Sequence, residues 1–284
     1  MSNKIKGVDN DHADFYTDGL PKGYLSVSQV NQYLKCGEAY YQKYVLEQTT
    51  PSSFFQVQGR AIHSAAEAMH NSLIKGTLIS HEEALQAYSD LHDAEIDDVV
   101  DDTAPEELTA GKLKDIGLRL TSEYHVVASG DARAPGGVRI DPPKPVAAEF
   151  AFRVQLEQEG KPSVPFLGYI DLVEETAISD LKTKKKAASQ GEVDNSLQLS
   201  MYAHVTGKPD VRLDQLIRPT KSHNGKFVRT RALRTRQEVL HAVDIVCGVA
   251  EDITAGRFRK STPDAWWCTA KWCPFWHRCR GKNR

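Results

Sequence analysis

Long apolar runs are missing from this sequence. No stretch of its 284 residues approaches the roughly eighteen apolar residues that a membrane-spanning helix needs, so no membrane partner is expected. The opening residues, MSNKIKGVDNDHADF, also lack the apolar core of a secretory signal. Cysteine is scarce, and the five present are an odd number, which argues against an extracellular disulfide framework. The expected compartment is therefore the cytoplasm.

Net charge is nearly absent at −2, but the balance hides an asymmetry. Residues 211 to 284 carry 16 Lys and Arg against 6 Asp and Glu, leaving 20 against 32 before them. A basic C-terminal quarter offers a track for a phosphate backbone, above all at Arg229, Arg231, Arg234 and Arg236 after the Asn224-Gly225 turn. A solvated basic surface is the plainer alternative for any one of them. Nine acidic residues crowd the stretch from Asp90 to Glu107, which reads as a solvated helical insertion or linker turned away from an anionic partner.

A hydrophobic content of 40% over this length is enough for one large domain. We expect a flexible N-terminus over 1–24 and a single domain over 25–284. That domain divides into a helical part over about 25–130, an α/β part over about 145–235, and a C-terminal helix with a cysteine-rich tail over 235–284. Ser26 with Gln29, and Thr235 with Glu238, predict helix starts closed by capping boxes. The first of these helices carries Cys36 and the aromatic series Tyr33, Tyr40, Tyr41 and Tyr44. Those rings could stack single-stranded bases, though packing on the C-terminal tail explains them more simply. Cys247, in line with Leu240 and Val243, reads as a small core residue.

The residues that carry chemistry lie in the middle of the chain. Residues 166–173 (FLGYIDLV) and 176–182 (TAISDLK) are short, apolar and β-favouring, and predict adjacent antiparallel strands that bring Asp171 and Asp180 together. Asp180 and Lys182, two residues apart on a strand, share a face. Two carboxylates are the usual protein ligands of Mg²⁺, and a lysine beside them can hold the attacking water or stabilise a pentavalent phosphate. The set is suited to metal-assisted phosphodiester cleavage; alone, Asp180-Leu181-Lys182 would read as an exposed strand edge. Gln198 and Tyr202, four apart in a predicted helix over 193–205 that stops at Gly207, can reach the same place. Upstream, residues 146–154 alternate, with Val146, Phe150, Phe152 and Val154 on one face and Glu149 and Arg153 on the other, making Glu149 a weaker, outer candidate.

Taken in order, His63 beside the helical stripe of Ile62, Ala65, Ala66 and Met69, then Gly168-Tyr169-Ile170-Asp171, Asp180-Leu181-Lys182 and Gln198-x-x-x-Tyr202, resemble the PD-(D/E)xK nuclease superfamily, and within it the RecB-type exonucleases. The resemblance implies an α/β fold with a restriction-endonuclease-like core, a mixed central sheet flanked by helices. It implies that Asp171, Asp180 and His63 ligate Mg²⁺ or Mn²⁺, and that Gln198 and Tyr202 orient Lys182 and contact DNA. The implied activity is exonucleolytic, on single-stranded DNA or other free ends. The implied setting is recombination, repair or phage DNA processing in a bacterial cell or phage-infected host, beside recombination or replication proteins.

A second constellation joins Cys36 to Cys268, Cys273 and Cys279. It resembles the iron–sulfur RecB-type exonucleases, including CRISPR-associated ones, in which one N-terminal and three C-terminal cysteines hold a 4Fe-4S cluster. The first C-terminal gap is longer here, Cys268-x4-Cys273-x5-Cys279 in place of C-x2-C-x5-C, and tetrahedral zinc is the alternative. His277 could replace one of the cysteines or contact phosphate. Either metal would clamp the C-terminal tail to the first helix. Two other readings stay open: a catalytically silent DNA-binding or assembly module, against which the intact Asp171, Asp180 and Lys182 count, and a structure-specific endonuclease using the same site.

Overall fold

The structure, a computed structural model, describes residues 19–50, 52–99, 109–134, 136–220 and 223–280. The expected flexible N-terminus falls outside them up to residue 18, as does the acidic stretch from residue 100 onward.

Ser26, itself extended, accepts the backbone N–H of Gln29 and starts α1 (Val27–Lys35). Only that half of the expected capping box forms, because the Gln29 amide donates to the Tyr24 carbonyl and its oxygen accepts the Tyr40 hydroxyl. Cys36 is also extended, so it lies in a break between α1 and α2 (Gly37–Tyr40), not on the first helix. A π turn over Tyr41–Val45 follows. The tyrosines pack as the simpler reading had it: Tyr33 donates to the Arg257 carbonyl, and Tyr40 and Tyr41 meet the Phe258 ring.

Next come α3 (Phe54–Ile74) and α4 (His81–Glu95), each opened by a capping box, and α5 (Ala110–Ser129), ended by Gly130 at φ 82°. Five strands form one sheet in the order β1 (Pro145–Leu156), β2 (Val164–Glu174), β3 (Ala177–Lys184), β4 (Asp210–Ile217), β5 (Lys226–Leu233). β3 and β4 run parallel, joined by α6 (Gln190–Asp194) and α7 (Leu197–Thr206), while the other neighbours are antiparallel. The helix expected over 193–205 is thus two, because Ser196 caps a fresh start for α7. After β5, the Thr235 and Glu238 capping box opens α8 (Arg236–Thr254), and a short α9 (Trp276–Cys279) ends the tail.

Strand alternation sorts the apolar side chains into two cores. Ile170, Ile178 and Val211 pack with Val30 of α1, Met201 of α7 and Val246 of α8, whereas Leu181, Leu216 and Phe227 pack with Ala65 and Met69 of α3 and Leu120 of α5. The result is the expected mixed sheet flanked by helices. Two positions depart from the expected stripes. Val146 is 57% exposed because a bulge between Pro145 and Ala147 shifts the register, and Leu240 is 53% exposed at the flank of α8 while Cys247 is buried. No helix among the described residues is long and apolar enough to cross a membrane.

Gly168 has a packing reason to be glycine. A Cβ there would lie 2.6 Å from Cζ of Phe152, a buried ring wedged against Phe166 and Tyr202. Gly168→Ala is therefore expected to cost about 1–3 kcal/mol through overpacking, read as a fall of several degrees in the thermal midpoint; an unchanged midpoint would show that the ring has room to move.

Candidate active site

β2 and β3 pair only at Leu172 with Ser179 and Val173 with Ile178, and then part. Across the opening, Oδ2 of Asp171 accepts the backbone N–H of Leu181 at 2.6 Å, so a carboxylate stands where a ladder carbonyl would otherwise be. Because the strands are apart, side chains from both sheet faces converge here.

From the α3 face, His63 Nδ1 lies 3.5 Å from Oδ1 of Asp171 and 3.8 Å from Oε1 of Glu149. The ligand atoms of His63, Glu149 and Asp171 all fall within 4.8 Å of one another. One imidazole and two carboxylates suit a small divalent cation. Glu149 joins them from β1 with φ at 43°, a conformation non-glycine residues seldom adopt. It is thus a member of the trio, not the outer residue that its place on the alternating strand suggested, and nothing in the sequence signals its backbone strain.

From the α7 face comes Asp180, 1% exposed. Its Oδ1 accepts Lys182 Nζ at 2.8 Å and the Gln198 amide at 2.9 Å. Gln198 also donates to the Tyr202 hydroxyl (2.6 Å), which donates in turn to the Tyr169 carbonyl. Gln198 and Tyr202 therefore hold Asp180, and reach Lys182 only through it. His63, Glu149, Lys182 and Thr183 line an open cleft of about 540 Å³ together with Phe55, Gly59 and Arg60.

The charges are mutually dependent. Burial works against a charged His63, but Asp171 and Glu149 outweigh it and push the imidazole up to about 10. Burial would lift Asp171, yet His63, Lys182 and the Leu181 N–H bring it below the ordinary carboxylate value. Asp180, more deeply enclosed, is raised by burial to about 6 despite its contact with Lys182. Lys182 is raised because Asp180 and Asp171 overcome its own desolvation. The field that protonates His63 is the field that attracts a cation.

The expected arginine track does not form. Arg229 makes a bidentate pair with Asp214 (2.7 and 2.7 Å) and Arg231 one with Asp210 (2.7 and 2.6 Å). Arg234 is buried, donating to Ser200 Oγ and the Val193 carbonyl. Only Arg236 of that set is an exposed side chain without such a role among the described residues.

The four candidate cysteines come together: Cys36, Cys268, Cys273 and Cys279 line one small cavity with Ala39 and Phe275. Burial raises the Cys273 thiol, and the other three thiols add to it. Among the described residues no three of the sulfurs lie within 4.8 Å of one another, whereas thiolates around one zinc stand about 3.8 Å apart given Zn–S bonds of about 2.3 Å.

The family model described as the PD-(D/E)XK nuclease superfamily matches residues 24–280. Among solved structures, that of a protein from Eubacterium rectale, provisionally named an exonuclease, shares 14% identity at a TM-score of 0.51, over 92% of this chain and 93% of that one. Another, of SSO0001, shares 14% identity at a TM-score of 0.35, over 90% and 96% of the two chains. No curated protein matches the chain.

The His63 shift predicts a pH dependence. A group raised from 6.5 to about 10 on folding contributes stability that is complete below pH 6.5 and is lost as pH rises through about 10. In chelator-treated protein the thermal midpoint should fall between those limits, and His63→Gln should flatten that part of the profile. A wild-type midpoint constant over the window would count against the His63, Asp171 and Glu149 pairing.

Proposed function

We propose, from the premise that this chain belongs to the PD-(D/E)XK nuclease superfamily, that it is a divalent-metal-dependent DNA exonuclease acting on single-stranded ends. The observation that carries this reading is the convergence of His63, Glu149 and Asp171 within 4.8 Å, with His63 and Glu149 lining an open cleft beside Lys182. The preference for ends and for single strands rests on the RecB-type order of the motifs.

The donor set fits Mg²⁺ or Mn²⁺. Asp171 and Glu149 would supply oxygen ligands and His63 a nitrogen, surrendering the proton it otherwise carries. Such an ion supplies Lewis-acid polarisation of a phosphate oxygen and helps ionise the attacking water. Asp180 adds a second strand carboxylate to the acidic side and clamps Lys182 at 2.8 Å. The Lys182 ammonium is placed to hold the water or to offset charge gathering on the pentavalent phosphate. Gln198 and Tyr202 keep Asp180 from turning away, so that Lys182 meets the phosphate in one orientation.

Cys36, Cys268, Cys273 and Cys279 hold a 4Fe-4S cluster in this reading. Their shared cavity supports a common ligand set, and the choice of iron–sulfur over zinc rests on the resemblance in cysteine order to the iron–sulfur RecB-type exonucleases. The cluster's part is structural, tying the tail to the break after α1.

End-labelled single-stranded DNA should be degraded with Mg²⁺ or Mn²⁺ by the wild type. Asp171→Asn and Asp180→Ala, shown to be folded, should lose on the order of a hundredfold to a thousandfold in rate. Equal cutting of circular single strands would make the enzyme an endonuclease, and no cutting by cluster-intact wild type would favour a silent DNA-binding module. Anaerobically purified protein should absorb broadly in the visible and contain iron and acid-labile sulfide, and Cys36→Ser should lose both. Colourless wild-type protein carrying zinc would replace the iron–sulfur reading with the tetrahedral one.

A further inference from the structure

One arginine differs from the ion-paired ones. Arg218 follows the end of β4, and its backbone N–H donates to the Lys184 carbonyl at 2.9 Å, so it stands just past the end of the strand that carries Asp180 and Lys182. Its Nε donates to Oε1 of Gln58 at 2.8 Å, and its guanidinium carbon lies 4.5 Å from the centroid of the Phe55 ring. Gln58 is itself buried and spoken for, its amide donating to the Leu113 carbonyl at 2.7 Å. Phe55 lines the active-site cleft beside His63 and Lys182.

Every one of these contacts is neutral. Among the described residues Arg218 has no carboxylate partner, whereas Arg212, Arg229, Arg231 and Arg257 each have one. Half-buried and without an opposing charge, its guanidinium is lowered by burial to about 10. A desolvated cation with only neutral neighbours is costly to keep. Arg234 shares that neutral surrounding, but its two nitrogens already bridge to α6 and α7. Arg218 spends one nitrogen on Gln58 and holds its plane on an aromatic ring, leaving the terminal pair for a fork-shaped contact. Thr183, which lines the same cleft, has a buried hydroxyl oxygen without a partner among the described residues.

We propose that Arg218, positioned by Gln58 and Phe55, forms a phosphate subsite that grips a backbone phosphodiester of the DNA strand next to the one at Lys182. The inference rests on the nuclease reading and deepens it. Arg218 is a positioning residue: it supplies the missing anion's partner, fixes the register of the strand in the cleft, and takes no part in breaking the bond. A phosphate there would restore the charge balance that no carboxylate among the described residues supplies.

The test separates binding from cleavage. Binding of a fluorescein-labelled oligothymidylate is measured by anisotropy in EDTA over a series of NaCl concentrations, for wild type, Arg218→Gln and Arg218→Lys, with thermal midpoints recorded alongside. Losing one phosphate contact on a single strand should lower the magnitude of the slope of log affinity against log salt by about 0.7. We expect that reduction for Arg218→Gln, an affinity loss of about tenfold, KM raised more than kcat is lowered, and partial recovery in Arg218→Lys. An unchanged slope would overturn the subsite, as would an affinity loss in both variants that simply follows their thermal midpoints. If wild type binds but does not cleave, the nuclease reading fails while the salt slope still decides the subsite. Absence of binding by wild type would overturn both.

Discussion

The separation of β2 from β3 is the constraint on which the rest of the site depends. A continuous ladder would extend the register of Leu172 with Ser179 to set Asp171 directly opposite Asp180 on one face of a closed sheet, and would leave Leu181 bonded to a carbonyl. The pairing instead ends after Leu172 with Ser179, and the Asp171 carboxylate takes the Leu181 N–H at 2.6 Å. One side chain thereby satisfies an otherwise orphaned donor, keeps the gap from collapsing and meets His63 with its other oxygen. Gly168, three residues earlier, serves the same arrangement, since its missing Cβ admits the Phe152 ring that backs Tyr202.

Around that gap, burial and charge are in opposition. Asp171, Asp180, His63 and Lys182 are groups that water would solvate well, brought instead into a region where each is held by the others. Removing one member leaves the opposite charge uncompensated, which is why buried polar sets of this kind behave as units. The strained backbone of Glu149 belongs to the same balance: its φ of 43° brings a second carboxylate to His63 at a local cost that packing of the β1 strand has to sustain. Arginines elsewhere on the sheet follow the opposite logic, being paired off against Asp210 and Asp214, so the net basicity of the C-terminal quarter overstates the cationic surface available to a ligand.

The two ends of the described chain are tied by a separate device. Tyr33, Tyr40 and Tyr41 pack on Arg257 and Phe258, and Cys36 meets the three C-terminal cysteines at the break after α1. Gly37, just after the break, lets the tail come close, since a Cβ there would lie 2.7 Å from the Arg259 backbone nitrogen. Chain closure of this length constrains the folded state chiefly through such contacts between distant segments, and it leaves the cleft at β2 and β3 untouched.

What could be read directly from the sequence were local properties: the strands around Asp171 and Asp180, the shared face of Asp180 and Lys182, the helical stripe beside His63, the capped start of α8 and the ordered family motifs. Each follows from periodicity or from short spacing, where neighbouring residues dictate backbone geometry. Glu149 as a member of the trio, the partners of Arg229, Arg231 and Arg234, and Gln198 bonding to Asp180 in preference to Lys182 were not legible. They depend on register, on a bulge and on which acid meets which base across residues up to 108 apart, as between His63 and Asp171. Residue type and order by themselves determined the kind of chemistry and the elements that carry it. Only the tertiary structure decided which charges remain free to act, because desolvation makes every buried ion choose a partner and only the fold sets which partners are within reach.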